Sequence, residues 1–389
     1  MLNVVRLVQQ FPSLHSIRYG LQSTFYHLTQ EQVNLGLKVH VIANQSQNQP
    51  NCETINGIHI HRVTKPYNLM SLIQLYKLSR QLHIEIIHSH ATIGLSYSLL
   101  HRFLDHVNAP RLVTHVHGTT KGIALAFKKT SWRHLESTIL REQIVWHGAN
   151  ALIANSRFLK EELIRLYAIP RNKIFLVNNG VDLSIFRYSE SKDTLYRKYG
   201  IPKHDSVILY LGGSRPVKGP TYLLKALEKI GEKHENIFTI FVKGAGPLDR
   251  FYSPRLEKEL QRLQHKKKLV AINSIPHTEL PQYYSAVDAV VVPSLYDAFP
   301  KVVLEAVTCG TPVVGTAVGG IPEMIKNNEN GYLVEPDDPD KLATMIIQAV
   351  SNTRLKEQLR KRSSELQQRY SWKTAAKAVS SVYRKILDS

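Results

Sequence analysis

Residues 289–331 constrain the fold more tightly than any other stretch. The apolar run Ala289 to Val292 stops at Pro293 and predicts a buried strand. A short polar loop carrying Asp297 follows. Pro300 suits the first turn of a helix, where a missing N–H goes unused, and Gly310 is a natural C′ residue after Cys309. Thr311 to Gly315 predicts a second strand, and Gly319 and Gly320 a loop beyond it. A strand, helix and strand joined by such short connections make a parallel pair. The Asp297 loop then lies at the carboxyl end of a strand, where open α/β sheets bind ligands. Asp297 and Glu305, eight residues apart, stand in that loop and about a turn and a half into the helix. Taken alone, such a pair is more often a helix cap and a solvated helix residue.

The same pattern recurs along the chain. Strands are predicted at Val4–Val8, Val39–Ala43, Ile84–His88, Leu112–Val116, Ala151–Ser156 and Lys173–Val177, and again at Val207–Leu211, Phe238–Val242 and Leu269–Ile272. Helices are predicted at Leu21–Leu35, Thr194–Tyr199, Thr221–Ile230 and Asp340–Val350. A length of 389 residues suffices for two such domains. The loop Gly212-Gly213-Ser214-Arg215-Pro216-Val217-Lys218-Gly219 stands between a strand and a helix. Glycines there let backbone approach a phosphate, while a cation and the helix N-terminus stabilise its charge. Two strand ends carry histidines, His88-Ser89-His90 and His117-Gly118-Thr119. From Lys121 to His147, Lys121, Lys128, Lys129, Arg133 and His134 alternate with Phe127, Trp132, Leu135, Ile139 and Leu140. The spacing predicts a helix with one apolar core face and a basic side. The functional alternative is a patch for a membrane surface or an anionic acceptor.

The net charge is +19, spread over both halves, and a positive field favours anionic partners. No zinc-finger spacing or RNA-binding consensus accompanies it, so nucleic acid is not expected. Two cysteines, Cys52 and Cys309, make no disulfide framework and no metal site, which fits a reducing cytosol. No apolar run approaches the length of a membrane span. The expected location is cytoplasmic, with peripheral contact at the membrane face as a possible addition.

The stretch D-A-F-P-K-V-V-L-E-A-V-T-C-G-T-P-V from Asp297 resembles the hallmark of retaining glycosyltransferases of family 4, E-G-F-x-x-x-x-x-E-A-x-x-x-G-x-P-V. Glu305 matches the second acid; Asp297 stands where the family has glutamate. The likeness extends over nearly the whole chain. V-x-H-G at His117, N-G-V-D at Asn179 to Asp182, Lys218 in a G-R-x-x-x-x-K-G-like loop, G-x-G-P at Gly244 and the segment at Pro276 and His277 all follow the family. Tyr19 replaces the first glycine of the family's Gly-Gly pair, leaving Gly20. Gly213 occupies the family's arginine position, with Arg215 two residues on.

The resemblance implies the GT-B fold: two Rossmann-like, doubly wound parallel-sheet domains facing a central cleft. They would be residues 1–185 on the acceptor side and 186–370 on the nucleotide-sugar side, with 371–389 as a terminal helix crossing back to the first. It further implies sugar transfer with retention, from a nucleoside-diphosphate sugar, UDP- or GDP-linked, to a hydroxyl of a glycan or a lipid-linked acceptor. Lys218, Arg215 and the backbone at Gly20 and Gly213 would meet the diphosphate. Glu305 would accept from ribose hydroxyls. Asp297, with the backbone of Phe299, Pro300, Lys301 and Val302, would orient the sugar, and His117 would hold it. Gly244, Pro276 and His277 would border the nucleotide. The implied chemistry calls for no metal and no cofactor. Two other classes stay open: an epimerase of the same fold, and a non-catalytic partner subunit that binds anions or membranes.

Overall fold

The computed structural model describes residues 2–11, 20–45, 49–63, 80–101, 109–127, 135–190, 192–231, 234, 236–244 and 253–388. Two compact units result: residues 1–180 with 371–389, and residues 181–370.

The first unit is built on strands β1 (Asn3–Leu7), β2 (Lys38–Asn44), β3 (Cys52–Ile55), β4 (Ile58–Val63), β5 (Ile86–His90), β6 (Arg111–Val116), β7 (Ala151–Ala154) and β8 (Ile174–Leu176). Their order is β3-β4-β2-β1-β5-β6-β7-β8. All neighbours pair in parallel except β3 and β4, a hairpin turning at Asn56-Gly57 with positive φ at both residues. Asn-Gly is the usual signal for such a turn. β5 corrects the prediction: the strand extends past His88 through His90, because Ser89 and His90 still pair with Thr114 and His115 of β6. One sheet face is covered by helices Gly20–Asn34 and Trp372–Leu387, where Leu28, Val379 and Tyr383 pack on Val4, Ile86, Val113 and Ile153. Ser371 caps the second of these helices by accepting from the Thr374 N–H at 3.1 Å. Its first residue, Trp372, is buried and stacks on His27 with ring centroids 5.9 Å apart.

The second unit has strands β9 (Ser206–Tyr210), β10 (Ile237–Val242), β11 (Leu269–Ile272), β12 (Ala289–Val292), β13 (Val313–Thr316) and β14 (Gly331–Val334). Their order is β11-β10-β9-β12-β13-β14, and every neighbouring pair is parallel. Val207, Ile208, Leu209, Val290 and Val291 are buried, as strands covered on both faces must be. The chain winds outward from β9 to β11, then returns to place β12 beside β9. That reversal makes the β9/β12 junction the switch point where neighbouring loops diverge and leave room for a ligand. No described helix in the chain is long and apolar enough to cross a membrane.

Candidate functional site

The loop after β9 and the loop after β12 meet at the switch point. Leu295 donates its N–H to the Val217 carbonyl at 2.8 Å, tying one loop to the other. The Tyr210 hydroxyl donates to the Gly213 carbonyl at 2.8 Å and fastens the first loop to its own strand. Pro216–Lys218 form a single 3-10 turn that ends on Gly219. Gly219 has φ +70, and a Cβ there would lie 1.8 Å from the Pro293 carbonyl oxygen. Only glycine permits both that backbone and that approach. Lys218 donates to Asp297 Oδ2 at 2.5 Å, with the lysine side chain 30% and the aspartate 11% exposed. The other Asp297 oxygen accepts from the Phe299 N–H at 3.2 Å, and its carbonyl accepts from Gly320 at 2.9 Å. Asp297 is therefore held by its backbone and both carboxylate oxygens. Gly212, Lys218, Pro293, Asp297, Pro300 and Val302 are among the residues lining a pocket here.

The following helix, Lys301–Thr308, starts one residue after the expected Pro300, which is its N-cap. Glu305 is buried, and one of its oxygens accepts from the Tyr284 hydroxyl at 2.8 Å. This corrects the picture of a solvated helix residue: the apolar face of the helix carries Glu305 inward with Val303, Leu304 and Ala306. Burial, and secondarily Glu305, pushes the Tyr284 hydroxyl well above its ordinary range. Lys301 is partly exposed along its stem, but its ammonium nitrogen is buried. Burial pushes that ammonium down to about 8, against the opposing pull of Glu305. His277 joins the cluster, its ring edge-on to Phe186 at 5.2 Å. Burial lowers its pKa, while Glu305 raises it and Lys301 lowers it.

Of the residues singled out in the sequence, the fold pairs Lys218 with Asp297 and gathers Glu305, Lys301 and His277. Phe299 is buried between these groups in sequence, and Pro276 turns the chain into the helix Leu280–Ala286 by accepting from Glu279 and Leu280. Gly213 and Gly244 lie at the carboxyl ends of β9 and β10, where Gly213 comes close to the Lys243 carbonyl. The rest of the G-x-G-P stretch, residues 245–247, lies outside the described residues. Arg215 is exposed at the start of the 3-10 turn. Tyr284 belongs to the segment that follows the family's pattern beside the nucleobase, but its bond to Glu305 was not foreseen: the carboxylate comes from a different helix, and a contact of that kind leaves no local mark.

In the first unit, Gly20 is the first residue of its helix, and residues 12–19 before it lie outside the described residues. His117 follows β6, half-buried, with Nε2 3.0 Å from His90 Nδ1. His88 and His90 are both fully buried in β5, with His90 as its last residue at the carboxyl end. The single amphipathic helix expected over Lys121–His147 is two helices, Thr120–Ala126 and Glu136–Gly148, with residues 128–134 outside the described residues. Its apolar-inward face does not hold, since Leu125 and Leu140 are exposed while Glu142 is buried. Glu142 accepts from the N–H and hydroxyl of Thr120 and from the Tyr167 hydroxyl, so hydrogen bonding at a helix start outweighs hydrophobic pattern. Burial raises its pKa.

Residues 191–366 match a family model described as Glycosyl transferases group 1, and residues 19–185 one described as Glycosyltransferase Family 4. A glycosyltransferase of Methanocaldococcus jannaschii is 27% identical over 349 residues, 86% of this chain and 86% of its own length. Sucrose-phosphate synthase from Thermosynechococcus elongatus superposes with a TM-score of 0.82 at 20% identity, covering 100% of both chains. Anabaena HepE, solved in complex with UDP-glucose, gives a TM-score of 0.77 at 18% identity, covering 99% of this chain and 100% of that one.

Proposed function

Since the chain belongs to the group 1 glycosyltransferases of GT-B fold, with a family 4 N-terminal half, we propose that it transfers a sugar from a nucleoside diphosphate to an acceptor hydroxyl with retention. The observation that carries this reading is the Lys218–Asp297 ion pair at the β9/β12 switch point. A diphosphate arriving there meets a cation whose present counterion is a single carboxylate. Lys218 would exchange that carboxylate for phosphate, freeing Asp297 to accept from the sugar. Backbone amides of the glycine loop and the start of helix Lys301–Thr308 would add to the stabilisation, with Arg215 reaching in from the loop rim. Glu305 would accept from ribose hydroxyls with the oxygen that Tyr284 does not occupy. By resemblance, His117 touches the donor sugar.

In the transfer, the bond from the anomeric carbon to the phosphate oxygen breaks, and a bond to the acceptor oxygen forms on the same face. The departing phosphate takes the hydroxyl proton, giving a nucleoside diphosphate and a glycoside. Charge grows on the phosphate as that bond breaks, so a fixed cation contributes most at the transition state. This chemistry asks for neither a metal nor a cofactor. The UDP-glucose bound by HepE supports a nucleotide-sugar donor. The net charge of +19 supports an anionic partner as well, such as an acidic membrane surface beside a lipid-linked acceptor.

The test is nucleotide release from UDP-, GDP- and ADP-sugars, with and without a glycan or lipid-linked acceptor. Lys218→Ala and Glu305→Ala should each lower transfer by about 30- to 1000-fold, corresponding to about 2–4 kcal/mol of transition-state stabilisation, while circular dichroism stays native. Undiminished rates in both variants would refute the assignment. Isomerised sugar without nucleotide release would point to an epimerase.

A further inference from the structure

The first unit contains a buried basic cluster. Arg6 of β1 lies opposite His88 of β5, and His90 lies opposite His115 of β6. All four are fully buried, and His117 follows at the strand end. His90, His115 and His117 are stacked within 19° of parallel, while His88 is tilted by 23° to His90 and 36° to His115. Ring centroids of His88 and His90 are 4.8 Å apart, those of His115 and His117 4.6 Å, and those of His90 and His117 5.3 Å with planes 10° apart. Helix Gly20–Asn34 adds Gln32, whose amide oxygen accepts from Arg6 Nη2. Helix Trp372–Leu387 adds Tyr383, hydrogen-bonded to His88 Nδ1.

The direction of each bond follows from the one partner with no choice. A guanidinium donates and never accepts. Arg6 Nη1 is 3.0 Å from His90 Nε2, so that nitrogen is the acceptor and carries no hydrogen. Neutral His90 then has its hydrogen on Nδ1. Nδ1 is 3.0 Å from His117 Nε2, so His117 Nε2 is an acceptor in turn. The His117 hydrogen is left on Nδ1. An imidazolium at His117 would put two hydrogens into the same 3.0 Å gap.

A cation is the competing occupant, because ring nitrogens of His88, His90 and His115 lie within 4.8 Å of one another. Both ring nitrogens of His90 are already bonded, so a cation would have to displace Arg6 or His117 from it and sit near a buried guanidinium, where like charges at such distances cost several kcal/mol even at an effective dielectric of about 20.

We propose that Arg6, acting through His90, is a positioning residue for His117, holding it as the neutral Nδ1–H tautomer. His117 then meets a ligand as a hydrogen-bond donor, with its lone pair committed to His90. The effect on sugar transfer rests on the reading that His117 touches the donor sugar; the tautomer itself does not. The test is long-range ¹H–¹⁵N NMR of the histidine rings in the full chain, comparing wild type with Arg6→Met, His90→Leu and His90→Gln. Wild type should show a protonated Nδ1 and a bare Nε2 at His117. Arg6→Met and His90→Leu should shift it toward Nε2–H and lower kcat about tenfold with KM little changed. His90→Gln, whose amide can still donate to His117, should restore both, which also separates positioning from misfolding. A His117 imidazolium or Nε2–H form in the wild type at pH 7, an unchanged tautomer in Arg6→Met, or a stoichiometric metal bound to the imidazoles would overturn the proposal. A shifted tautomer with unaltered transfer would support the relay and overturn the sugar contact.

Discussion

Acidification should unfold the first unit well before the pH at which ordinary carboxylates titrate. His88, His90 and His115 are buried, and all three have pKa values well below 6.5, first through burial and then through neighbouring Arg6 and histidines, His117 among them. In the unfolded chain they return to about 6.5. Below that value the unfolded state therefore binds three protons that the folded state refuses. Stability is complete above the unfolded value and falls as the pH drops toward the folded ones. Each proton contributes about 1.4 kcal/mol per pH unit, so the limiting slope is about 4 kcal/mol per pH unit. Against a typical total of about 5–15 kcal/mol, one or two pH units are decisive. His40, lowered to about 4 chiefly by burial, adds to the same slope. All three tryptophans, Trp132, Trp146 and Trp372, belong to the first unit, so indole fluorescence reports on that unit alone. With an m-value of about 2 kcal/mol per molar urea, the midpoint should fall by about 2 M between pH 6 and 5. His115→Gln should reduce the slope by about one proton. A midpoint that moves by less than about one proton's equivalent would refute the reasoning and mean that the imidazoles take up protons in the folded state.

Three further outcomes are expected in the second unit and at the thiols. Gly219→Ala forces a side chain into left-handed backbone 1.8 Å from the Pro293 oxygen and should cost about 2–3 kcal/mol, seen as faster hydrogen exchange at the Leu295 amide; unaltered exchange would mean that the loops part freely. Lys301 should titrate near 8 by side-chain ¹⁵N NMR, below its ordinary 10.5, and Glu305→Gln should lower it further by removing the charge that holds the proton; a midpoint near 10.5 would show a hydrated ammonium. Cys309 is buried, its thiol pushed up by burial and by Glu305, whereas Cys52 is exposed, so one thiol should react with an aromatic disulfide in the native protein and two in denaturant.

Eleven of the fourteen described strands are legible in the sequence to within two residues, because they are short apolar runs bounded by glycine, proline or polar turns; β3, β4 and β14 were not predicted. β11 and β12 begin and end where their pattern does. Lys218 and Asp297 are readable for a similar reason: each lies in a loop directly after such a run. The hairpin at Asn56-Gly57 was equally open to reading, since its turn signal is local. The side-chain features that were missed involve partners distant in sequence. Glu142 is pulled inward by Thr120 and Tyr167, and Tyr284 is set against Glu305 across two helices.

By itself, then, the chain's order of apolar runs, glycines and charged loops determined two doubly wound sheets and put a lysine and a carboxylate at a strand end. Only tertiary structure decided that these two neutralise each other, that Glu305 is buried against a tyrosine, and that four imidazoles and a guanidinium share one sheet face. The physical reason is that strand and helix periods are written in neighbouring residues, whereas protonation, ion pairing and tautomer depend on which distant side chains burial brings within about 3 Å.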